Sequence, residues 1–176
     1  MADIPSAYFD ACMFIELLQQ NKPGRLEACE ALHDQAKKEK LVIVTSALTI
    51  TEVDKLPELG ILPDEQSKKI LDFFEHKYIV IRNLDRQIAE RAHQLTRTHG
   101  LYAQDAIHVA TAVSVKVPVL YTYDGKGGRR RGLLRHHLKI GNPPLRIEEP
   151  PEPSAGPLFE KKKEGKKDEP GSGTGG

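Results

Sequence analysis

Apolar positions along the chain fall into short continuous runs separated by longer stretches of helical period. Leu41-Val42-Ile43-Val44-Thr45 is continuously apolar and β-branched, which predicts a strand covered on both faces. Ser6-Ala7-Tyr8-Phe9 predicts a shorter strand ending at Asp10, and Tyr78-Ile79-Val80-Ile81 a third. Val117 to Thr122 predicts a fourth, with Pro118 near its start, where a ladder tolerates it. Leu145-Arg146-Ile147 adds a short edge strand.

Between these runs the period changes to that of a helix. A helix is expected from Cys12 to about Gln20, with Phe14, Leu17 and Leu18 on its inner face, before Asn21-Lys22-Pro23-Gly24 breaks it. Others are expected from about Arg25 to Glu39, over Leu48 to Val53, and from Asp64 to Glu75 after Pro57, Gly60 and Pro63. Leu84, Ile88, Ala92 and Leu95 mark an amphipathic helix that Gly100 stops. The next helix carries Ala103, Ala106, Ile107, Ala110, Val113 and Val117 on one stripe, and Val109, Ala112 and Val115 fill most of the remaining circumference. A helix apolar nearly all round is buried. Strands alternating with helices long enough for crossovers predict an α/β fold: three layers, with a central, mainly parallel sheet of four to five strands.

Composition narrows this to one domain and an appendage within 176 residues. The two cysteines, Cys12 and Cys29, form no C-x-x-C pair, so neither a zinc knuckle nor a disulfide framework is indicated. No apolar run approaches the ~20 residues of a membrane span, and Met-Ala-Asp-Ile-Pro-Ser lacks the pattern of a secretory signal. A cytoplasmic protein with no membrane partner is expected. After Glu149 the chain turns to Pro150, Pro151, Pro153 and Pro157, a Lys/Glu run and Gly-Ser-Gly-Thr-Gly-Gly. Residues 1–148 are read as the folded domain, and 149–176 as a disordered tail with too little apolar area to offset its ordering entropy.

The net charge of +1 conceals an asymmetry. Between Asp124 and Glu148 no acid intervenes, yet Lys126, Arg129, Arg130, Arg131, Arg135, Lys139 and Arg146 are all present. The rest of the chain carries 19 Lys+Arg against 25 Asp+Glu. One basic segment on an otherwise acidic protein suits a polyanionic partner.

Asp10 and Asp124 stand at the carboxyl ends of predicted strands, Glu52 lies in the helix after the second strand, and Asp105 opens the buried helix. Ligands of open α/β sheets gather at the carboxyl ends of strands, so all four can face one crevice. Each also has a plainer reading. Asp10 and Asp105 suit helix caps, Glu52 a solvated face, and Asp124-Gly125 a turn. Converging, they demand a cation, because two carboxylates ~5 Å apart repel by roughly 3 kcal/mol at an effective dielectric of 20. Oxygen-only ligands favour Mg²⁺ or Mn²⁺, and such ions promote in-line attack of water on a phosphodiester. The adjoining basic residues Lys126, Arg129, Arg130 and Arg131 would hold the nucleic-acid backbone. His108, one turn after Asp105, reads as a packed histidine within reach of the site, and His136 and His137 as exposed loop residues.

Tyr8-Phe9-Asp10, Thr45-Ser46-Ala47-Leu48-Thr49-Ile50-Thr51-Glu52-Val53, Asp105-Ala106-Ile107-His108-Val109-Ala110-Thr111-Ala112 and Tyr121-Thr122-Tyr123-Asp124 resemble the four blocks of a PIN domain, in order and over nearly all of residues 4 to 148. The resemblance implies a Mg²⁺- or Mn²⁺-dependent endoribonuclease acting on RNA. Asp10, Glu52, Asp105 and Asp124 would be its catalytic, metal-binding acids, and Thr122 would help order the site. The domain looks most like VapC-type toxins of type II toxin–antitoxin pairs, which implies a homodimer and a cognate antitoxin. Gly-Lys-Gly-Gly-Arg-Arg-Arg after Asp124 and the charged tail depart from that pattern. The alternative is a non-catalytic RNA- or protein-binding module on the same fold. A haloacid-dehalogenase-like phosphatase fits poorly, since position 12 is Cys rather than a second Asp. A response-regulator receiver lacks its adjacent acidic pair and its later Lys.

Overall fold

A computed structural model describes residues 4–19, 23–53, 64–125 and 132–153. Five strands form one sheet: β1 (Ser6–Phe9), β2 (Val42–Ser46), β3 (Ile79–Arg82), β4 (Val119–Tyr121) and β5 (Arg146–Glu148). Their spatial order is β3-β2-β1-β4-β5, and every neighbouring pair is parallel. The helices are α1 (Ala11–Gln19), α2 (Pro23–Lys37), α3 (Ala47–Val53), α4 (Asp64–Phe74), α5 (Arg86–His99) and α6 (Ala103–Ser114), and a 3₁₀ turn covers Leu133–His136. The expected α/β architecture is therefore present, with five strands, all parallel, among the described residues.

Alternation along the central strand builds two cores. Tyr8 joins Val44, Leu120, Ile88, Leu95 and Val109 on the α5/α6 face. Its neighbours Ala7 and Phe9 join Ile43, Met13, Phe14 and Phe74 on the α1–α4 face. Helix α6 is buried as its composition predicts: Ala106, Val109, Ala110 and Ala112 are all fully covered. Helix α5 stops where Gly100 adopts φ 66° and donates to Thr96 O, a left-handed end that costs glycine little. At its start, the Asp85 carboxylate accepts from Ile88 N–H at 2.9 Å.

Three local expectations are corrected. Helix α2 begins at Pro23, not Arg25, because proline lacks only an N–H that the first turn leaves unbonded anyway. Leu84 precedes α5 and is 44% exposed; the apolar stripe starts at Ile88. His136 and His137 are half-buried rather than exposed. The His136 ring stacks edge-on against His99, and His137 Nδ1 lies 2.9 Å from Ile147 O of the edge strand. The tail expected over 149–176 falls largely outside the described residues, as do Asn21 and Lys22.

Candidate active site

The order β3-β2-β1-β4-β5 places a switch point between β1 and β4, from which the chain winds outward both ways. Side chains just beyond the carboxyl ends of those strands line the crevice where α/β sheets bind ligands. Asp10 follows β1 and Asp124 follows β4, so both stand there. Glu52 reaches the same edge from α3, directly after β2, and Asp105 from the first turn of α6.

Asp10 is 5% exposed and held on both oxygens. Oδ1 accepts from Cys12 N–H at 3.0 Å and from the Cys12 thiol at 2.7 Å, while Oδ2 accepts from the Thr122 hydroxyl. The cap reading of Asp10 is thus realised, at the carboxyl end of β1. Burial pushes its carboxyl up, and His108 and the bonds from Cys12 and Thr122 pull it back. Thr122, wholly buried, also accepts from Asp124 N–H at 2.9 Å. One hydroxyl therefore ties the ends of β1 and β4 together. The Cys12 sulfur accepts from Tyr123 N–H at 3.0 Å and keeps its proton, since burial and the Asp10 charge raise its pKa well above normal.

Asp105 is held differently. The residue before α6 that starts the helix is Tyr102, which makes no side-chain cap, and Asp105 lies within the first turn. Its carboxyl is pushed up to about 6, by burial first and then by Asp124, Asp10 and Glu52, against the opposing pull of His108. All three other acids of the set therefore act on it. The solvated-face reading of Glu52 is not realised: its side chain is 16% exposed and its Oε2 lies 2.7 Å from His108 Nε2. His108 Nδ1 lies 2.8 Å from the Tyr8 hydroxyl. Sequence reasoning missed Tyr8; only its place one residue inside the end of the central strand hinted at it.

Asp124 is exposed and forms a turn with Gly125. Its Oδ2 accepts from Leu133 N–H at 3.0 Å and its carbonyl from Leu134 N–H at 3.2 Å. Gly125 has φ +109°, and a Cβ on Gly132 would come within 2.2 Å of Gly125 Cα. Both ends of the basic run are thereby brought side by side at Asp124. Lys126, Arg129, Arg130 and Arg131 themselves lie outside the described residues.

The donor set suits a hard divalent cation: four carboxylates, with burial and mutual repulsion raising Asp105. As the side chains stand, however, no three His, Cys, Asp or Glu among the described residues are gathered closely enough to ligate one ion. Asp10, Glu52 and Asp124 are each drawn toward protein donors instead.

Comparison with solved structures finds similar folds. Mycobacterium tuberculosis VapC20, a sarcin–ricin loop cleaving toxin, aligns with TM-score 0.56 at 15% identity, over 68% of this chain and 91% of that one. A Klebsiella pneumoniae toxin–antitoxin complex gives 0.51 at 28%, over 71% and 93%. Rickettsia felis VapBC2, bound to a DNA fragment from its promoter, gives 0.52 at 16%, over 81% and 98%. Comparison with curated protein sequences gives no match. The sequence model of the PIN domain matches residues 7–131, from the middle of β1 past Asp124, so the match takes in all four acids at the switch point, and the chain belongs to the PIN domain family.

Proposed function

We propose that the protein is a Mg²⁺- or Mn²⁺-dependent endoribonuclease that hydrolyses RNA phosphodiester bonds, and that it is the toxin of a type II toxin–antitoxin pair. The observation that carries this reading is the charge crowding around Asp105, whose carboxyl is raised by burial and then by Asp124, Asp10 and Glu52. Crowding of that kind suits a site completed by a cation. Asp10, Glu52, Asp105 and Asp124 would hold the metal, which supplies Lewis acidity and a water of lowered pKa. Thr122 orients Asp10 and Asp124 together through its one hydroxyl. Lys126, Arg129, Arg130 and Arg131, next in sequence after Asp124, would bind the phosphate backbone.

The toxin assignment is supported by the neighbours, one of which is a toxin–antitoxin complex by name and another a sarcin–ricin loop cleaving toxin. A cognate antitoxin and a homodimer are part of the proposal. So are a division into a nuclease domain over 1–148 and a tail over 149–176, and a cytoplasmic location. No helix among the described residues is long and apolar enough to cross a membrane.

Cleavage of RNA by the full-length protein with Mg²⁺ or Mn²⁺, and its loss on chelation, tests the proposal. Activity that survives both chelation and the Asp10→Asn or Asp124→Asn change would rule it out. RNA that is bound but uncut with every divalent ion would establish the non-catalytic module instead.

A further inference from the structure

Glu52 ends a chain of hydrogen bonds that starts in the middle of the sheet. The Tyr8 hydroxyl of β1 lies 2.8 Å from His108 Nδ1 of α6, and His108 Nε2 lies 2.7 Å from Glu52 Oε2 of α3. Tyr8 is 0% exposed and His108 3%, with their rings edge to face at 5.8 Å. The carboxylate of Glu52 can only accept, so Nε2 carries the hydrogen between them. In the neutral imidazole Nδ1 is then an acceptor, and the phenol O–H is the donor beside it. Both ring nitrogens are spent on partners 100 and 56 residues away in sequence.

We propose that Tyr8 and His108 form a positioning relay for the metal site: the Tyr8 hydroxyl fixes His108 in its Nε2–H form, and that N–H fixes the Glu52 carboxylate, which would help hold the divalent ion. The inference rests on the reading of Glu52 as a metal-binding acid and adds two residues that touch neither metal nor RNA. Packing does not account for the pair. Tyr8 belongs to an apolar core with Val44, Val109 and Leu120, and an apolar side chain at position 108 would avoid burying a polar ring beside it. Partners that orient a metal ligand from behind contribute roughly 10- to 100-fold in metal affinity.

The test uses the full chain and Mn²⁺ alone, with no RNA. Long-range ¹H–¹⁵N NMR reads the His108 tautomer, and Mn²⁺ titration followed by electron paramagnetic resonance reads affinity. The expected wild-type signal is a hydrogen on Nε2. Tyr8→Phe, which deletes one oxygen from a site that keeps its ring, should mix the tautomers and weaken Mn²⁺ binding about 10-fold. His108→Leu should weaken it by about 10- to 100-fold, and His108→Gln, whose amide N–H can replace Nε2–H, should recover most of that. Should His108→Leu fail to fold, Tyr8→Phe carries the test. A ring with its hydrogen on Nδ1 alone would overturn the relay. So would unchanged Mn²⁺ affinity in Tyr8→Phe while Asp10→Asn and Asp124→Asn abolish binding. Wild-type affinity in Asp124→Asn would instead sink the metal-site reading itself, and the relay with it.

Discussion

Asp10 and Asp105 share one crevice and are held in opposite ways. Asp10 is fixed by the Cys12 N–H and thiol and the Thr122 hydroxyl, and its position is set by protein donors alone. Asp105 sits in the first turn of α6, pushed up to about 6 by burial and its acidic neighbours. No hydrogen bond or ion pair holds its carboxylate among the described residues. The first arrangement holds a carboxylate in one orientation; the second stores unfavourable charge. A site built from both is orderly on its β1/β4 side and strained electrostatically on its α6 side, a division that trades stability for function.

The sharpest break in that comparison is Asp10→Asn. Loss of the fixed carboxylate should lower RNA cleavage on the order of 10³-fold, the scale on which preorganised electrostatic groups act. The metal-free melting temperature should hold or rise, because burial already disfavours the Asp10 charge. A variant that melts much lower without metal would show Asp10 to be chiefly a structural cap. Thr122→Val comes next. It leaves Asp10 Oδ2 and Asp124 N–H without their shared partner. A stability loss of about 1–3 kcal/mol in urea unfolding should accompany a roughly 10- to 100-fold loss of cleavage. Thr122→Ser, which keeps the hydroxyl, should restore most of both.

Much of this contrast was legible in the sequence. Asp10 and Asp124 end apolar runs that could only be strands, and Asp105 begins a stretch too apolar to be anything but a buried helix. What periodicity could not show is pairing across the fold. His108 reads as a packed histidine on spacing alone, and it is packed; its bond to Glu52 depends on α3 and α6 meeting over one end of the sheet. Tyr8 was invisible as a site residue because a buried aromatic in a central strand looks like any other core residue. His137 misled for a related reason, since its partner is the backbone of an edge strand ten residues on. The basic residues 126–131 are plain in the sequence but lie outside the described residues, which show the close approach of Gly125 and Gly132.

The α6 side is sharpened by pH. A carboxyl raised from 3.8 to about 6 binds its proton more tightly folded than unfolded, so metal-free stability falls as pH climbs between those values. The full two-unit shift corresponds to roughly 3 kcal/mol. His33 works against it: burial lowers its pKa to about 4, so its contribution to stability grows as pH rises toward 6.5. The difference between wild type and Asp105→Asn isolates the Asp105 share. Asp105→Asn should be more stable than wild type at pH 7 and should match it near pH 4 in urea midpoints. An equal gap at both pH values would mean that Asp105 carries no stored charge.

Cys12→Ala probes the fixed side most gently. The thiol supplies one of two donors to Asp10 Oδ1 and accepts the Tyr123 N–H, so its removal leaves one buried N–H without its partner. Oδ1 keeps the Cys12 N–H and Oδ2 keeps Thr122, which is why Asp10 should stay in place. The expected cost is about 1 kcal/mol in stability, with cleavage changed only a few-fold. If cleavage instead falls as far as in Thr122→Val, the sulfur, not the hydroxyl, is the group that sets the direction of the Asp10 carboxylate.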